Sequence, residues 1–147
     1  IPRITIATDI ICGFPGESEE AFKQTINLIK EVQPDVVNLS RFFPRPRTPA
    51  ARMKPTIPPQ EVKRRSRILS DVVREISYQR NLLWEGWEGE ILIDEEGMKP
   101  NSWIGRNFAY KPIVIRGDKR LLGKFMKIRA RKAFQSYLEA EPIGNLS

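Results

Sequence analysis

Apolar and polar positions alternate along the chain with two different periods, and the change falls a little past its middle. Residues 4–13, ITIATDIICG, are rich in β-branched side chains and end at glycine, which predicts a largely buried strand. Gly13-Phe14-Pro15-Gly16 then turns the chain. Ser18 is placed to cap a helix, with Glu19 and Glu20 in its first turn, where carboxylates meet the positive end of the dipole. Phe22, Ile26, Ile29 and Val32 share one face at helical spacing, and Pro34 ends the helix. Residues 35–43, DVVNLSRFF, read as a second strand. A strand, helix and strand this closely spaced predict a right-handed parallel crossover, with one more such unit expected to follow.

The run 44–59, PRPRTPAARMKPTIPP, is crowded with prolines and reads as a loop. Beyond it Val62, Leu69, Ile76 and Leu83 recur every seven residues, widened by Ile68, Val72 and Val73, which predicts a helix over 60–84 of about 37 Å. The period then shortens. Apolar runs at 89–94, 103–109, 112–116, 123–130 and 133–140, parted by glycines or charges, predict five short strands and a small barrel of the oligonucleotide-binding type. The domain boundary is placed near Trp84, giving residues 1–84 and 85–147.

Composition narrows the chemistry. Of 147 residues none is histidine and one, Cys12, is cysteine, so this chain alone builds no disulfide framework, His/Cys zinc site, Ser-His-Asp triad or Cys-His pair. Cys12 sits in the body of a strand and reads as core. No apolar run approaches the roughly 20 residues that span a bilayer, and no signal-peptide pattern is seen, so a cytoplasmic protein is expected. The chain enters a strand almost at once, as a segment of something longer would.

The net charge of +7 is unevenly spread. Between Lys99 and Lys132 eleven cations face one carboxylate, Asp118. Arg106, Lys111, Arg116, Lys119, Arg120, Lys124, Lys127, Arg129, Arg131 and Lys132 are the candidate RNA contacts, interleaved with Trp103, Phe108, Tyr110, Phe125 and Phe134. Cations for phosphates and flat rings for unpaired bases suit RNA; each ring alone reads equally as core filling. The glycine-rich end of the first strand is either a ligand-approach point or a tight turn. Arg41, Arg45, Arg47 and Arg52 either bind an anion or pair with Glu17, Glu19 and Glu20. Residues 63–67, KRRSR, read as a solvated helix face.

TDIICGFPGE, followed after a helix of the right length by FFPRPRTPAARM, resembles the methylthiotransferase family of radical S-adenosylmethionine enzymes. The wording ITIATDIICGFPGE is closest to its archaeal and eukaryotic branch, which methylthiolates threonylcarbamoyladenosine beside the anticodon of tRNA. The resemblance implies an α/β segment closing a partial β/α barrel, then an all-β, OB-like TRAM domain that binds tRNA. It implies S-adenosylmethionine and two [4Fe–4S] clusters in the intact enzyme. The cluster-binding CxxxCxxC is missing here, so the missing amino-terminal part is an expected partner and this chain alone is expected to be inactive. By the same resemblance Ile11 and Gly13 supply apolar and close-backbone contacts to the cofactor's adenine, and Phe43 ends the strand whose backbone reaches it. Where the family's loop reads PRPGTPA, this chain has Arg47 for the glycine. The alternative is a stand-alone RNA-binding protein that keeps an inert remnant of the barrel.

Overall fold

The computed structural model describes residues 2–53, 57–117 and 121–144. They fold as two compact units, one of residues 6–76 and one comprising the rest, and the division falls inside a helix.

In the first unit, β1 (Ala7–Cys12) and β2 (Val36–Arg41) pair in parallel across α1 (Glu19–Val32), with Ala7 opposite Val36 and Cys12 opposite Arg41. Ser18 caps α1 by accepting from the Ala21 N–H, and Gln33, in the left-handed conformation, closes it ahead of Pro34. The Asp35 carboxylate accepts the Ile6 N–H at 3.1 Å, tying the start of one strand to the other. A turn of 3-10 helix, Pro49–Arg52, interrupts the proline-rich loop before α2 (Pro59–Leu82) begins. Cys12, Phe22, Ile29, Leu69 and Ile76 form the core, with Ile10, Leu39, Ile68, Val72 and Val73 around it.

Three expectations fail here for one reason: the sheet is two strands wide and its helices cover one face. β1 is shorter than residues 4–13, and of its six side chains only Cys12 is buried. Val32, at the end of α1's apolar stripe, is exposed, and so, for a different reason, is Leu83, which lies one residue past the end of α2. No third strand joins β1 and β2 among the described residues. The alternation of the strands therefore leaves Asp9, Ile11, Asn38 and Ser40 on an exposed face, where Asn38 donates to Asp9 at 2.8 Å.

The second unit is a closed barrel of β3 (Glu88–Glu96), β4 (Ser102–Arg106), β5 (Pro112–Arg116), β6 (Phe125–Ala133) and β7 (Leu138–Pro142). The strand order is β3-β4-β5-β7-β6, antiparallel except where β5 meets β7. Ile91, Ile93, Ile113, Ile115, Ile128 and Leu138 point inward with Trp84 and Trp103, as the alternation predicts. Gly105 admits no side chain, since a Cβ there would lie 2.7 Å from Ile91 Cδ1. No helix among the described residues is long and apolar enough to cross a membrane.

Candidate functional sites

The carboxyl ends of β1 and β2 form the first site. The turn that follows β1 is held from within: Gly13 N–H donates to the Glu17 carboxylate at 2.6 Å. Arg65 of α2, 5% exposed, locks this turn. It meets Glu61 at 2.8 Å, Glu19 at 3.2 Å and Glu17 at 3.5 Å, and donates to the Glu17 carbonyl at 2.9 Å. Its guanidinium lies 5.2 Å from the Phe22 ring centroid. Hydrogen bonds from Arg64 and Arg65 hold the Glu61 carboxyl down at about 2. Burial, with the Glu17 carboxylate second, pushes the Cys12 thiol up to about 11.

The solvated face expected at 63–67 is thus divided, and of the carboxylates offered as alternative partners of the proline-rich loop, Glu17 and Glu19 are taken by α2 instead. The clue lay in sequence: Glu61 and Arg65 are four residues apart, the spacing at which helical side chains meet. Gly13 has φ +81°, and a Cβ there would meet Val62 at 2.7 Å. The glycine is required by the turn and by α2. Ile11 stands 57% exposed on the open face of the sheet, opposite Ser40, and Phe43 is 79% exposed. Gly13, Arg41, Phe42 and Pro44 line a cavity of about 370 Å³ at the strand ends, which Ile11 and Phe43 do not enter. Arg47 has φ +66°, so the chain keeps the left-handed turn that a glycine would favour.

The barrel surface is the second site. Its closure sets β6 between two acidic strands, Arg129 opposite both Glu88 and Glu141, Lys127 opposite Glu90, and Lys132 opposite Glu139. Arg129 pairs with Glu88, Arg131 with Glu141, and Arg106 with Asp94 and Glu95, each at 3.4 Å in the last case. Lys111 is buried, its ammonium donating to Asn81 Oδ1 at 3.0 Å, which makes it part of the barrel's interior bonding rather than its surface. Arg116, Lys124, Lys127 and Lys132 are exposed with no carboxylate partner among the described residues, and Lys132 lies 5.1 Å from the Phe134 ring. Lys119 and Arg120 lie outside the described residues.

The rings divide as well. Trp103 is core, its indole N–H donating to the Gly117 carbonyl at 3.0 Å, and Phe134 stacks on Tyr137 at 4.6 Å. Phe108, Tyr110 and Phe125 are 70%, 70% and 67% exposed. Strand register places Phe125, Leu92 and Arg106 in one row across β6, β3 and β4, and Arg106 reaches over the Tyr110 ring at 5.1 Å. Leu92 and Tyr137 were not singled out in the sequence; only the register of the closed barrel brings Leu92 into that row.

A barrel of this strand order carrying rings and cations on its outside is of the oligonucleotide-binding kind. Residues 84–143 match the TRAM domain family. Beyond the barrel, the chain is 43% identical over 142 residues to a probable threonylcarbamoyladenosine tRNA methylthiotransferase of Pyrococcus horikoshii, covering 97% of this chain and 32% of that relative. It is 36% identical over 144 residues to a tRNA-2-methylthio-N(6)-dimethylallyladenosine synthase of a Sulfurihydrogenibium species, covering 98% and 33%. It is 32% identical over 146 residues to the threonylcarbamoyladenosine tRNA methylthiotransferase of Homo sapiens, covering 99% and 24%. The chain is thus similar along nearly its whole length to tRNA methylthiotransferases, and it spans about a third or less of the length of these relatives.

Proposed function

We propose that this chain is the carboxy-terminal part of a cytoplasmic enzyme that adds a methylthio group to threonylcarbamoyladenosine beside the anticodon of tRNA. In this reading residues 1–84 end a radical S-adenosylmethionine barrel and residues 85–147 hold the tRNA. The observation that carries it is the row of Phe125, Leu92, Arg106 and Tyr110 on a TRAM barrel, flanked by Lys124 and Lys127. Exposed rings offer stacking surfaces to unpaired bases, while the flanking ammonium groups neutralise phosphates.

The open face of β1 and β2 suits the adenine end of S-adenosylmethionine, because it presents an exposed Ile11 beside a polar Ser40. Ile11 would meet the flat of the base, and the backbone at Phe43 would meet its edge. Gly13 would act by shaping the turn, its Cα face being closed by Val62. When bound, that cofactor supplies the radical chemistry of the reaction. The residues of this chain do not fit an iron–sulfur cluster: such clusters are held by several thiolates, and the one thiol here is buried and pushed up to about 11. Cluster ligands and catalysis are therefore assigned to the part of the enzyme that precedes residue 1.

An unmodified tRNA transcript tests the binding half of this reading. Tyr110→Ala with Phe125→Ala is expected to weaken binding about thirtyfold or more, from the ~1–3 kcal/mol that each base–ring stack contributes, with the salt dependence unchanged. Wild-type affinity in the double variant, or no binding by the wild-type chain at low salt, would overturn it.

A further inference from the structure

We infer that the groove between β2 and α2 is a second RNA site, in which Arg41, Lys63 and Arg67 hold the phosphodiester backbone. The inference rests on the RNA-binding reading above and extends it from the barrel to the α/β unit. The groove has a volume of about 610 Å³ and an apolar floor of Val37, Leu39 and Val73. Arg41 enters it from the end of β2; Lys63, Arg67 and Arg74 enter from α2 at positions i, i+4 and i+11, which lie on one helical face. Among the described residues no carboxylate lines it.

The contrast within α2 is the core of the argument. Arg64 and Arg65 turn toward Glu17, Glu19 and Glu61 and are neutralised there. Arg41, Lys63 and Arg67 have no carboxylate partner among the described residues, and Arg74 has only the exposed Asp71. Clustered cations without counter-charge repel one another, and the extended groove they share suits a repeating anion better than a single one. Guanidinium groups present paired N–H donors to phosphate oxygens, and the largely buried Ser66 adds a hydroxyl at the wall.

The test is tRNA binding by the chain across a salt titration, using an unmodified transcript. The triple variant Arg41→Gln, Lys63→Gln, Arg67→Gln is expected to bind about tenfold or more weakly at 0.1 M salt, and to lower the slope of log K against log salt by about 2 to 3. Arg67→Gln alone is expected to lower it by about 0.7 to 0.9, whereas Arg64→Gln, the loss of one already paired cation from the same helix, leaves it unchanged. A wild-type slope in the triple variant, or equal losses from Arg64→Gln and Arg67→Gln, would overturn the groove while leaving the barrel reading intact. Failure of the wild-type chain to bind at all would overturn both. The circular dichroism spectrum of each variant is expected to match wild type, because Arg41, Lys63 and Arg67 are exposed without a carboxylate partner among the described residues and Arg64 is paired only at the exposed surface, and a match confirms that binding rather than folding was changed.

Discussion

Arg65 holds together more of the α/β unit than its position in a basic run suggests. A guanidinium 5% exposed, ringed by three carboxylates and two carbonyls, takes its bonds from a largely enclosed Glu17 and a partly enclosed Glu61 when it is removed. Arg65→Met is expected to destabilise the unit by about 3 kcal/mol, read as a lower denaturant midpoint at unchanged m-value. Lysine reaches one acceptor where the guanidinium reaches five, so Arg65→Lys should recover a minor part of that. Arg47 presents the opposite case, a side chain held in the left-handed region at φ +66°. Arg47→Gly is expected to stabilise by up to about 1 kcal/mol, since relief of strain is partly offset by a freer unfolded chain. A loss of stability would show that the arginine's own contacts outweigh the strain.

At the scale of elements, period and turn chemistry were legible and environment was not. Ser18, Pro34 and the alternation of Ile91, Ile93, Ile113 and Ile115 specify α1 and the barrel strands through local rules of capping and pleat. Those rules act within a few residues, so they survive without knowledge of the fold. Whether Ile11 or Val32 is buried depends on what lies across from it, and the two-stranded sheet leaves both exposed; Leu83 is exposed because it falls one residue past the end of α2. The fate of α2's cations was hidden likewise, because Glu17 and Glu19 arrive from another element. Their meeting has a consequence in acid. Glu61 is held at about 2 against an ordinary 4.5, by Arg64 first and Arg65 second, so its stabilising effect is complete above pH 4.5 and lost as the pH falls toward 2. The acid-unfolding curve of Glu61→Gln is expected to be shallower than wild type through that interval and parallel to it above pH 5. A curve of unchanged steepness would show that Arg64 and Arg65 do not hold the carboxylate in the folded chain.

For the molecule as a whole, the decisive difference between sequence and structure is electrostatic. Counted along the chain, residues 99–132 carry eleven cations and one carboxylate. Closure of the barrel flanks β6 with Glu88 and Glu90 on one side and Glu139 and Glu141 on the other, and ion pairs occupy Arg129 and Arg131. A cation held by a carboxylate releases few counterions when a phosphate arrives, so the charge left free for the proposed RNA contact is smaller than the sum over that window. Freeing those arginines should therefore do more than removing two negative charges elsewhere. Glu88→Gln with Glu141→Gln is expected to tighten binding of a tRNA transcript about five- to tenfold at 0.1 M salt and to steepen the salt slope by about 1 to 2. Glu20→Gln with Glu31→Gln makes the same change in net charge on the exposed side of α1 and is expected to leave the slope alone. Equal effects from the two double variants would mean that only net charge matters, and that the acidic strands flanking β6 do not set how much of its charge reaches the RNA.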